Sequence, residues 1–198
     1  MRVTILDYGA GNLHSLAKAL DDGVSAVRIE PDPVAALDTD VLVLPGVGAF
    51  GHAAGRLAPA REAIRDAIHG GLSCVGICLG MQLLFTESEE GDGSGLDVID
   101  GRVTRVQARR VPHIGWSMIE GAADWAFDRA PLDVAYYANG FACRPVRADV
   151  VRAWSVHETD RFPAMVREGS AVGVQFHPEK SSRAGVAFLR ALVREART

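Results

Sequence analysis

A cysteine lies on a glycine-rich turn in the first half of the chain. The segment Gly76–Gly80 reads Gly-Ile-Cys-Leu-Gly and separates an apolar run typical of a buried strand from a run typical of a helix. Flanking glycines permit the tight strand-to-helix turn on which many hydrolases carry their nucleophile. A helix start also favours the thiolate, the form of cysteine that attacks. We therefore interpret Cys78 as a nucleophile, and Cys74 and Cys143 as buried structural cysteines.

A histidine and a carboxylate follow a predicted strand near the end of the chain. His177 and Glu179 flank Pro178 and come directly after the apolar run Val172–Phe176. In extended backbone, residues two apart point to the same side, so the imidazole and the carboxylate can meet. An imidazole held in one tautomer by an acid suits a general base. Such a pair alone is more often a solvated strand end, but beside an elbow cysteine we interpret it as catalytic.

A second glycine-containing loop follows another predicted strand. Pro45-Gly46-Val47-Gly48 comes after Val41–Leu44. Two glycines around one residue let the backbone turn its amides toward a ligand. We expect the amides of Val47 and Leu79 to stabilise an oxyanion, although the loop by itself would be an ordinary turn. We further hypothesise that the loop amide faces away at rest and rotates inward on activation.

The first half of the chain alternates short apolar runs with helical patterns. The predicted strands are Val3–Leu6, Val27–Ile29, Val41–Leu44 and Ser73–Ile77. The predicted helices are Leu13–Leu20, a short helix from Pro33 with Asp32 as its cap, Arg61–His69 and Leu79–Phe85. Such alternation predicts right-handed crossovers and a mostly parallel sheet flanked by helices.

The second half reads differently, because strand-like runs follow one another with little helix between them. These runs are Gly101–Val106, Val150–Val156, Ala164–Arg167 and Val172–Phe176. They predict an antiparallel extension or edge of the sheet. Ser181 and Ser182 are expected to cap a final helix that ends at about Arg197. We predict an α/β fold and one domain over residues 1–198.

Composition excludes several classes of protein. The chain has 198 residues, of which 48% are hydrophobic and 23% are charged, and its net charge is −4. A mildly acidic chain predicts neither nucleic acid nor membrane as partner. Three cysteines without zinc-site spacing predict neither a disulfide scaffold nor a metal site. The N-terminus has no signal-peptide pattern, and the most apolar stretch, Cys74–Phe85, is too short to span a bilayer, so we expect a reduced, cytoplasmic protein.

Several motifs occur together in a fixed order. They are DYGAGN within Ile5–Leu20, PGVGAF at Pro45–Phe50, GICLGMQLLF at Gly76–Phe85, VPHIGW at Val111–Trp116 and GVQFHPEKSS at Gly173–Ser182. Together they resemble the glutaminase subunit of imidazole glycerol phosphate synthase, within the class I (triad) glutamine amidotransferases. The resemblance covers essentially the whole chain.

The resemblance implies a reaction and assigns roles to residues. It implies that Cys78 attacks the carboxamide of L-glutamine, that His177 is the base and that Glu179 orients the base. No cofactor is implied. The residues expected to bind the substrate are Gly46, Gly48, Gln82 and Glu90.

The resemblance also implies a partner. The family's partner is a (βα)₈-barrel cyclase subunit, with which the glutaminase forms a heterodimer in histidine biosynthesis. Ammonia passes through the barrel to a nucleotide intermediate, which yields imidazole glycerol phosphate and an aminoimidazole carboxamide ribotide. The residues expected at the interface are Asn12, Trp116, Tyr136 and Lys180.

One segment departs from the family pattern. The family carries a stretch like Val-His-Ser-Tyr where this chain has Ala138-Asn139-Gly140-Phe141, and Ser117 replaces the usual asparagine. Backbone contacts to glutamine could survive these changes, whereas side-chain contacts could not all do so. Two alternatives stay open, a glutaminase subunit of another synthase and a catalytically silent binding or regulatory module on the same fold. A redox cysteine protein is weaker, because no resolving cysteine is well placed.

Overall fold

The computed structural model describes residues 1–9 and 11–195. Its helices are α1 (Leu13–Leu20), α2 (Phe50–Leu57), α3 (Arg61–His69), α4 (Leu79–Leu83), α5 (Trp125–Arg129) and α6 (Ser182–Glu195). Its strands are β1 (Arg2–Leu6), β2 (Ala26–Glu30), β3 (Val41–Leu44), β4 (Ser73–Ile77), β5 (Phe85–Ser88), β6 (Ile99–Arg105), β7 (His113–Met118), β8 (Val134–Asn139), β9 (Phe141–Pro145), β10 (Val151–His157), β11 (Asp160–Glu168) and β12 (Ala171–Val174).

A seven-stranded sheet forms the centre of the fold, in the order β10-β11-β12-β4-β3-β1-β2. The strands from β12 to β2 pair in parallel, whereas β10 and β11 pair antiparallel at one edge. The predicted α/β fold with a mostly parallel sheet and an antiparallel extension is confirmed. The apolar run Val172–Phe176 is predicted to belong to the extension, and β12 does pair antiparallel with β11, but on its other side it pairs in parallel with β4. Gly101–Val106 was assigned there too, but β6 lies in a separate sheet of β5, β6 and β9.

The helices cover both faces of this sheet. Successive residues of β3 alternate between two hydrophobic clusters, with Val41 and Val43 in one and Leu42 and Leu44 in the other. The first cluster includes residues of α1, α5 and α6, and the second includes residues of α2, α3 and α4. Burial on both faces explains why the parallel strands read as continuous apolar runs.

Several predicted elements have the observed bounds, and others do not. The bounds of α1, α3, β3 and β4 are as predicted. The helix predicted over Leu79–Phe85 ends at Leu83, because Phe85 pairs with Ile99 and begins β5. Short apolar runs cannot by themselves distinguish a helix from a buried strand.

The remaining differences lie at element ends. The helix predicted from Pro33 is one 3₁₀ turn at Ala35–Leu37, and Asp32 Oδ1 accepts the amides of Val34 and Ala35 just before it. The last residues of the predicted C-terminal helix, beyond Glu195, lie outside the described residues, as does Ala10 in the turn before α1.

A two-stranded sheet of β7 and β8 completes the fold. Its antiparallel register places Trp116 opposite Tyr136. In the part of the chain that the structure describes, no helix has the length and apolar character needed to cross a membrane.

Candidate active site

Cys78 occupies the turn between β4 and α4 in a strained conformation. Its φ is 48° and its ψ is −102°, a region that residues other than glycine rarely adopt. Its amide donates to the carbonyl oxygen of Val174 at 2.7 Å, which ties the turn to β12. The turn also requires Gly80, because a Cβ there would lie 2.0 Å from the carbonyl oxygen of Leu44. The sequence pattern predicts this elbow, and the structure places Cys78 there, 5% exposed and held by its neighbours.

His177 and Glu179 meet beside this cysteine. Nδ1 of His177 lies 2.9 Å from Oε1 of Glu179, and the two side chains are only 1% and 9% exposed. Burial opposes protonation of the imidazole. The negative charge of Cys78, its hydrogen bond to the ring, and Glu179 outweigh burial and raise the pKa of His177 to about 10. The structure thus brings the predicted cysteine, histidine and carboxylate together, and it favours the protonated form of His177.

Ser181 holds the histidine turn in place. Its hydroxyl donates to the carbonyl oxygen of His177 at 2.7 Å and accepts the amide of Tyr136 at 2.9 Å. The amide of His177 in turn donates to the carbonyl oxygen of Tyr136 at 2.8 Å. Ser181 directly precedes α6, as predicted for a cap, and its carbonyl oxygen accepts the amide of Gly185 at 2.9 Å, but its hydroxyl bonds the turn to β8. The local sequence carried no signal for this contact.

The loop after β3 passes close to the elbow. A Cβ at Gly46 would lie 2.6 Å from the carbonyl oxygen of Ile77, so only glycine allows this approach. The loop is anchored at both ends. The hydroxyl of Tyr8 donates to the carbonyl oxygen of Pro45, and Oε2 of Glu90 accepts the amide of Phe50 at 3.0 Å.

Most of the predicted site residues line one cavity of about 160 Å³. The members predicted from sequence are Gly46, Val47, Gly48, Cys78, Leu79, Gln82, Glu90, His177 and Lys180. The segment Ala138–Phe141, which departs from the family pattern, lines the same cavity. Glu179 lies behind His177, and the cavity does not include Asn12, Trp116 or Tyr136.

A glutamine that sequence reasoning missed contacts the nucleophile. Nε2 of Gln175 lies 3.5 Å from Sγ of Cys78, and the side chain is fully buried. Its Oε1 lies 3.5 Å from Nε2 of Gln82, which also donates to the carbonyl oxygen of Phe141 at 3.1 Å. The alternation of strand residues offered a signal, because Gln175 stands two residues before His177.

The four residues predicted at a partner interface differ in their surroundings. Trp116 is 54% exposed and meets Tyr136 edge-on, with ring centroids 6.1 Å apart. Lys180 is exposed at the cavity, and Asn12 is exposed at the start of α1. Among residues 1–9 and 11–195, no group of three or more His, Cys, Asp or Glu side chains could hold a metal ion.

Comparison with protein families identifies the kind of protein that has this site. The model described as "Glutamine amidotransferase class-I" matches residues 4–195. The chain belongs to the class-I glutamine amidotransferases. Solved structures of such proteins share the amidotransferase fold. One, described as a crystal structure of glutamine amidotransferase, has a TM-score of 0.77 at 18% identity and covers 99% of both chains. PurLQS from Thermotoga maritima has a TM-score of 0.75 at 18% identity, covering 98% of this chain and 97% of its own.

The curated relatives of this amidotransferase are more similar in sequence. "Imidazole glycerol phosphate synthase subunit HisH" of Halobacterium salinarum is 40% identical, and the match covers 96% of this chain and 92% of the relative. The HisH subunit of Pyrococcus furiosus is 37% identical, with 96% of each chain covered. The resemblance to glutaminase subunits of this synthase, inferred from the motifs, is confirmed.

Proposed function

We propose that this amidotransferase hydrolyses L-glutamine to glutamate and ammonia and supplies the ammonia to the cyclase subunit of imidazole glycerol phosphate synthase, in histidine biosynthesis. The observation that carries the glutaminase reaction is the buried arrangement of Cys78, His177 and Glu179 at a strained turn. The similarity to HisH subunits over nearly the whole chain supports the choice of acceptor.

The first half of the reaction forms a thioester. The Cys78 thiolate attacks the carboxamide carbon of glutamine, and the oxygen gains negative charge as the carbon becomes tetrahedral. The amides of Leu79 and Val47 are the proposed donors to this oxyanion. Loss of one such donor typically costs about 2.7–4 kcal/mol of transition-state stabilisation. His177 then gives its proton to the departing nitrogen, so ammonia leaves and a glutamyl thioester remains.

The second half returns the enzyme to its starting state. His177, now neutral, takes a proton from a water molecule as the water attacks the thioester carbon. The tetrahedral intermediate collapses, the bond to sulfur breaks, and glutamate leaves with the Cys78 thiolate restored beside the imidazolium. Glu179 holds the ring in orientation throughout and stabilises its charged form. Besides the substrate and one water molecule, these steps use side chains and backbone amides of this chain.

Substrate binding is assigned to the rest of the cavity. Glu90 supplies a negative charge that suits the ammonium group of glutamine. Gly46 and Gly48 expose backbone near the nucleophile, and Gln82 supplies an amide close to the reacting group. The segment Ala138–Phe141 offers backbone groups on the remaining wall.

An exposed apolar face supports the proposal of a partner subunit. Ile114, Trp116 and Met118 alternate along β7, and they are 64%, 54% and 57% exposed. Tyr136 and Val134 stand opposite two of them on β8. A contiguous apolar face of this kind marks an interaction site. We propose that it docks the barrel cyclase in a heterodimer, together with Lys180 and Asn12. A docked partner also suits the chemistry. Ammonia released into water would be protonated and lost, whereas ammonia passed directly to an attached subunit would not.

The test is glutamate release from glutamine, measured with the chain alone and with the barrel cyclase and its nucleotide ligand. Strong stimulation by the liganded partner is expected, and Cys78→Ala should abolish release. Cys143→Ala is the matched control, because it removes a fully buried cysteine on β9 and should keep the activity. If glutamate release is the same with and without the cyclase subunit, the chain is a glutaminase that serves another synthase. No release under any condition would favour the silent binding module.

The docking face has its own test. Trp116→Ala should weaken binding of the cyclase subunit at least about tenfold, since exposed aromatic residues at the centre of an interface commonly dominate affinity. Val146→Ala is the control, because Val146 is 70% exposed but lies outside β7 and β8. Equal affinities for both variants and the unaltered chain would contradict the assigned face.

A further inference from the structure

Gln175 stands beside the nucleophile because β12 and β4 are parallel neighbours. Val174 pairs with Ile77 in the register, and the amide of Cys78 donates to the carbonyl oxygen of Val174 at 2.7 Å. The next residue on each strand is therefore Gln175 on one side and Cys78 on the other. The fully buried glutamine side chain brings Nε2 to 3.5 Å from Sγ.

The hydrogen-bond network sets which end of the Gln175 amide faces the sulfur. The carbonyl oxygen of Phe141 can only accept, so the group that Gln82 turns toward it, at 3.1 Å, is its NH₂. The same NH₂ group lies 3.5 Å from Oε1 of Gln175. With its oxygen turned to Gln82, Gln175 presents its own NH₂ group to Cys78. Both amide orientations follow from one backbone acceptor.

We propose that Gln175 is a catalytic residue whose amide N–H stabilises the Cys78 thiolate. This role rests on the proposed glutaminase reaction and deepens it. The amide supports the sulfur when it carries negative charge, before attack on glutamine and again when it departs from the thioester. A hydrogen bond to a charged group is stronger than one between neutral groups. The amide also stays a donor at every working pH, whereas His177 must give its proton away during the cycle.

Other groups around the sulfur also influence its charge, and substitution of Gln175 alters the identity of none of them. The ionisable residues near the sulfur or lining its cavity are His177, Glu179, Glu90, Lys180, Tyr8 and Cys143. A change that follows substitution of Gln175 alone therefore reports the loss of its donor.

The test is the pH dependence of Cys78 alkylation by iodoacetamide, followed by mass spectrometry of the Cys78 peptide in the isolated chain. Cys74 and Cys143 do not compete, because they are fully buried and burial raises their pKa, to about 12 for Cys74. Gln175→Met keeps the length of the side chain but removes the donor. We expect the alkylation midpoint to rise by about one pH unit, as loss of a hydrogen bond to a charged group predicts. The turnover number for glutamine should fall in the same variant.

Two further variants separate this role from a structural one. Gln175→Glu keeps the shape and places a carboxylate beside the thiolate, so the midpoint should rise further than in Gln175→Met. Ser155→Ala removes another fully buried hydrogen-bonding side chain, on the edge strand β10, and should leave the midpoint unchanged. A midpoint at or below the wild-type value in either folded Gln175 variant would overturn the proposal, as would an equal rise in Ser155→Ala. Alkylation needs no turnover, so this result stands apart from that of the glutaminase assay.

Discussion

The hydroxyl of Tyr8 donates a hydrogen bond to the carbonyl oxygen of Pro45 and joins the turn after β1 to the loop after β3. Tyr8 is 2% exposed. Burial raises its pKa well above the ordinary value, and the nearby Cys78 and Cys74 add to this, so the phenol keeps its proton. Because Oε2 of Glu90 accepts the amide of Phe50, the loop is anchored at both ends.

Tyr8→Phe should loosen that loop. The substitution leaves the buried Pro45 carbonyl without this donor, so we expect the free energy of unfolding to fall by about 1–3 kcal/mol. We also expect a lower turnover number with little change in the KM for glutamine, because the proposed oxyanion donor is on the loop. Denaturant titration and steady-state glutaminase kinetics measure the two effects. Tyr137→Phe, at a buried tyrosine on β8, is the control, and an unchanged turnover number in Tyr8→Phe would contradict the expectation.

Cys78→Ser should lower the pKa of His177. Burial alone lowers this pKa, and the cysteine thiolate is the largest of the causes that raise it from the ordinary 6.5 to about 10. A neutral hydroxyl removes the charge but keeps the size of the side chain. NMR titration of the imidazole should therefore show a fall of more than one pH unit. Cys143→Ser should leave the titration of His177 unaltered, and an equal pKa in both variants would argue against a thiolate–imidazolium pair.

His113 should make the fold sensitive to acid. Its ring is 3% exposed and stacks on His157, with centroids 4.1 Å apart. Burial, and then the charge of His157, lower the pKa of His113 from the ordinary 6.5 to about 4. Between these values the unfolded chain binds a proton that the folded chain does not. The free energy of unfolding should therefore fall as the pH falls through this window, by up to about 3 kcal/mol.

Denaturant titration at several pH values checks this expectation. His113→Gln should flatten the dependence of the free energy of unfolding on pH between about 6.5 and 4. His14→Gln, at an exposed position on α1, should keep the wild-type slope. A slope that His113→Gln does not change would assign the acid sensitivity to other groups.

Gly80→Ala should disrupt the elbow. The new Cβ would lie 2.0 Å from the carbonyl oxygen of Leu44, and neither backbone can move without shifting a core strand. We expect a loss of at least about 3 kcal/mol in the free energy of unfolding, at the upper end of overpacking effects. Gly55→Ala is the matched control on α2, where nothing lies within 4 Å of the new Cβ, and helix propensity predicts a gain of up to about 1 kcal/mol. Similar stability of the two variants would contradict the close approach at Gly80.

Local features of this protein were determined by its sequence alone. The bounds of α1, α3, β3 and β4 follow from apolar periodicity, because each element buries its apolar side chains at the spacing of its own backbone. The glycines around Cys78 predicted the elbow, since only glycine permits backbone to approach that closely. The motif order likewise predicted the family, which the comparisons confirmed.

The choice of neighbouring strand was decided only by the tertiary structure. Val172–Phe176 is apolar in any sheet, and nothing in it shows that the strand pairs antiparallel with β11 on one side and in parallel with β4 on the other. The same holds for Phe85. It belongs to β5 and not to the predicted helix, because it pairs with Ile99 on β6. Local propensity is weak compared with such long-range packing.

Which side-chain atoms surround the nucleophile was likewise decided only by the tertiary structure. Alternation along a strand predicts the side on which Gln175 lies, but its partner Cys78 is 97 residues away in the chain. Tyr8 reaches Pro45 across 37 residues, and Ser181 reaches Tyr136 across 45. A sequence periodicity specifies which face of an element a side chain takes. Which atom it meets across that face depends on how separate elements pack, and that depends on the whole core.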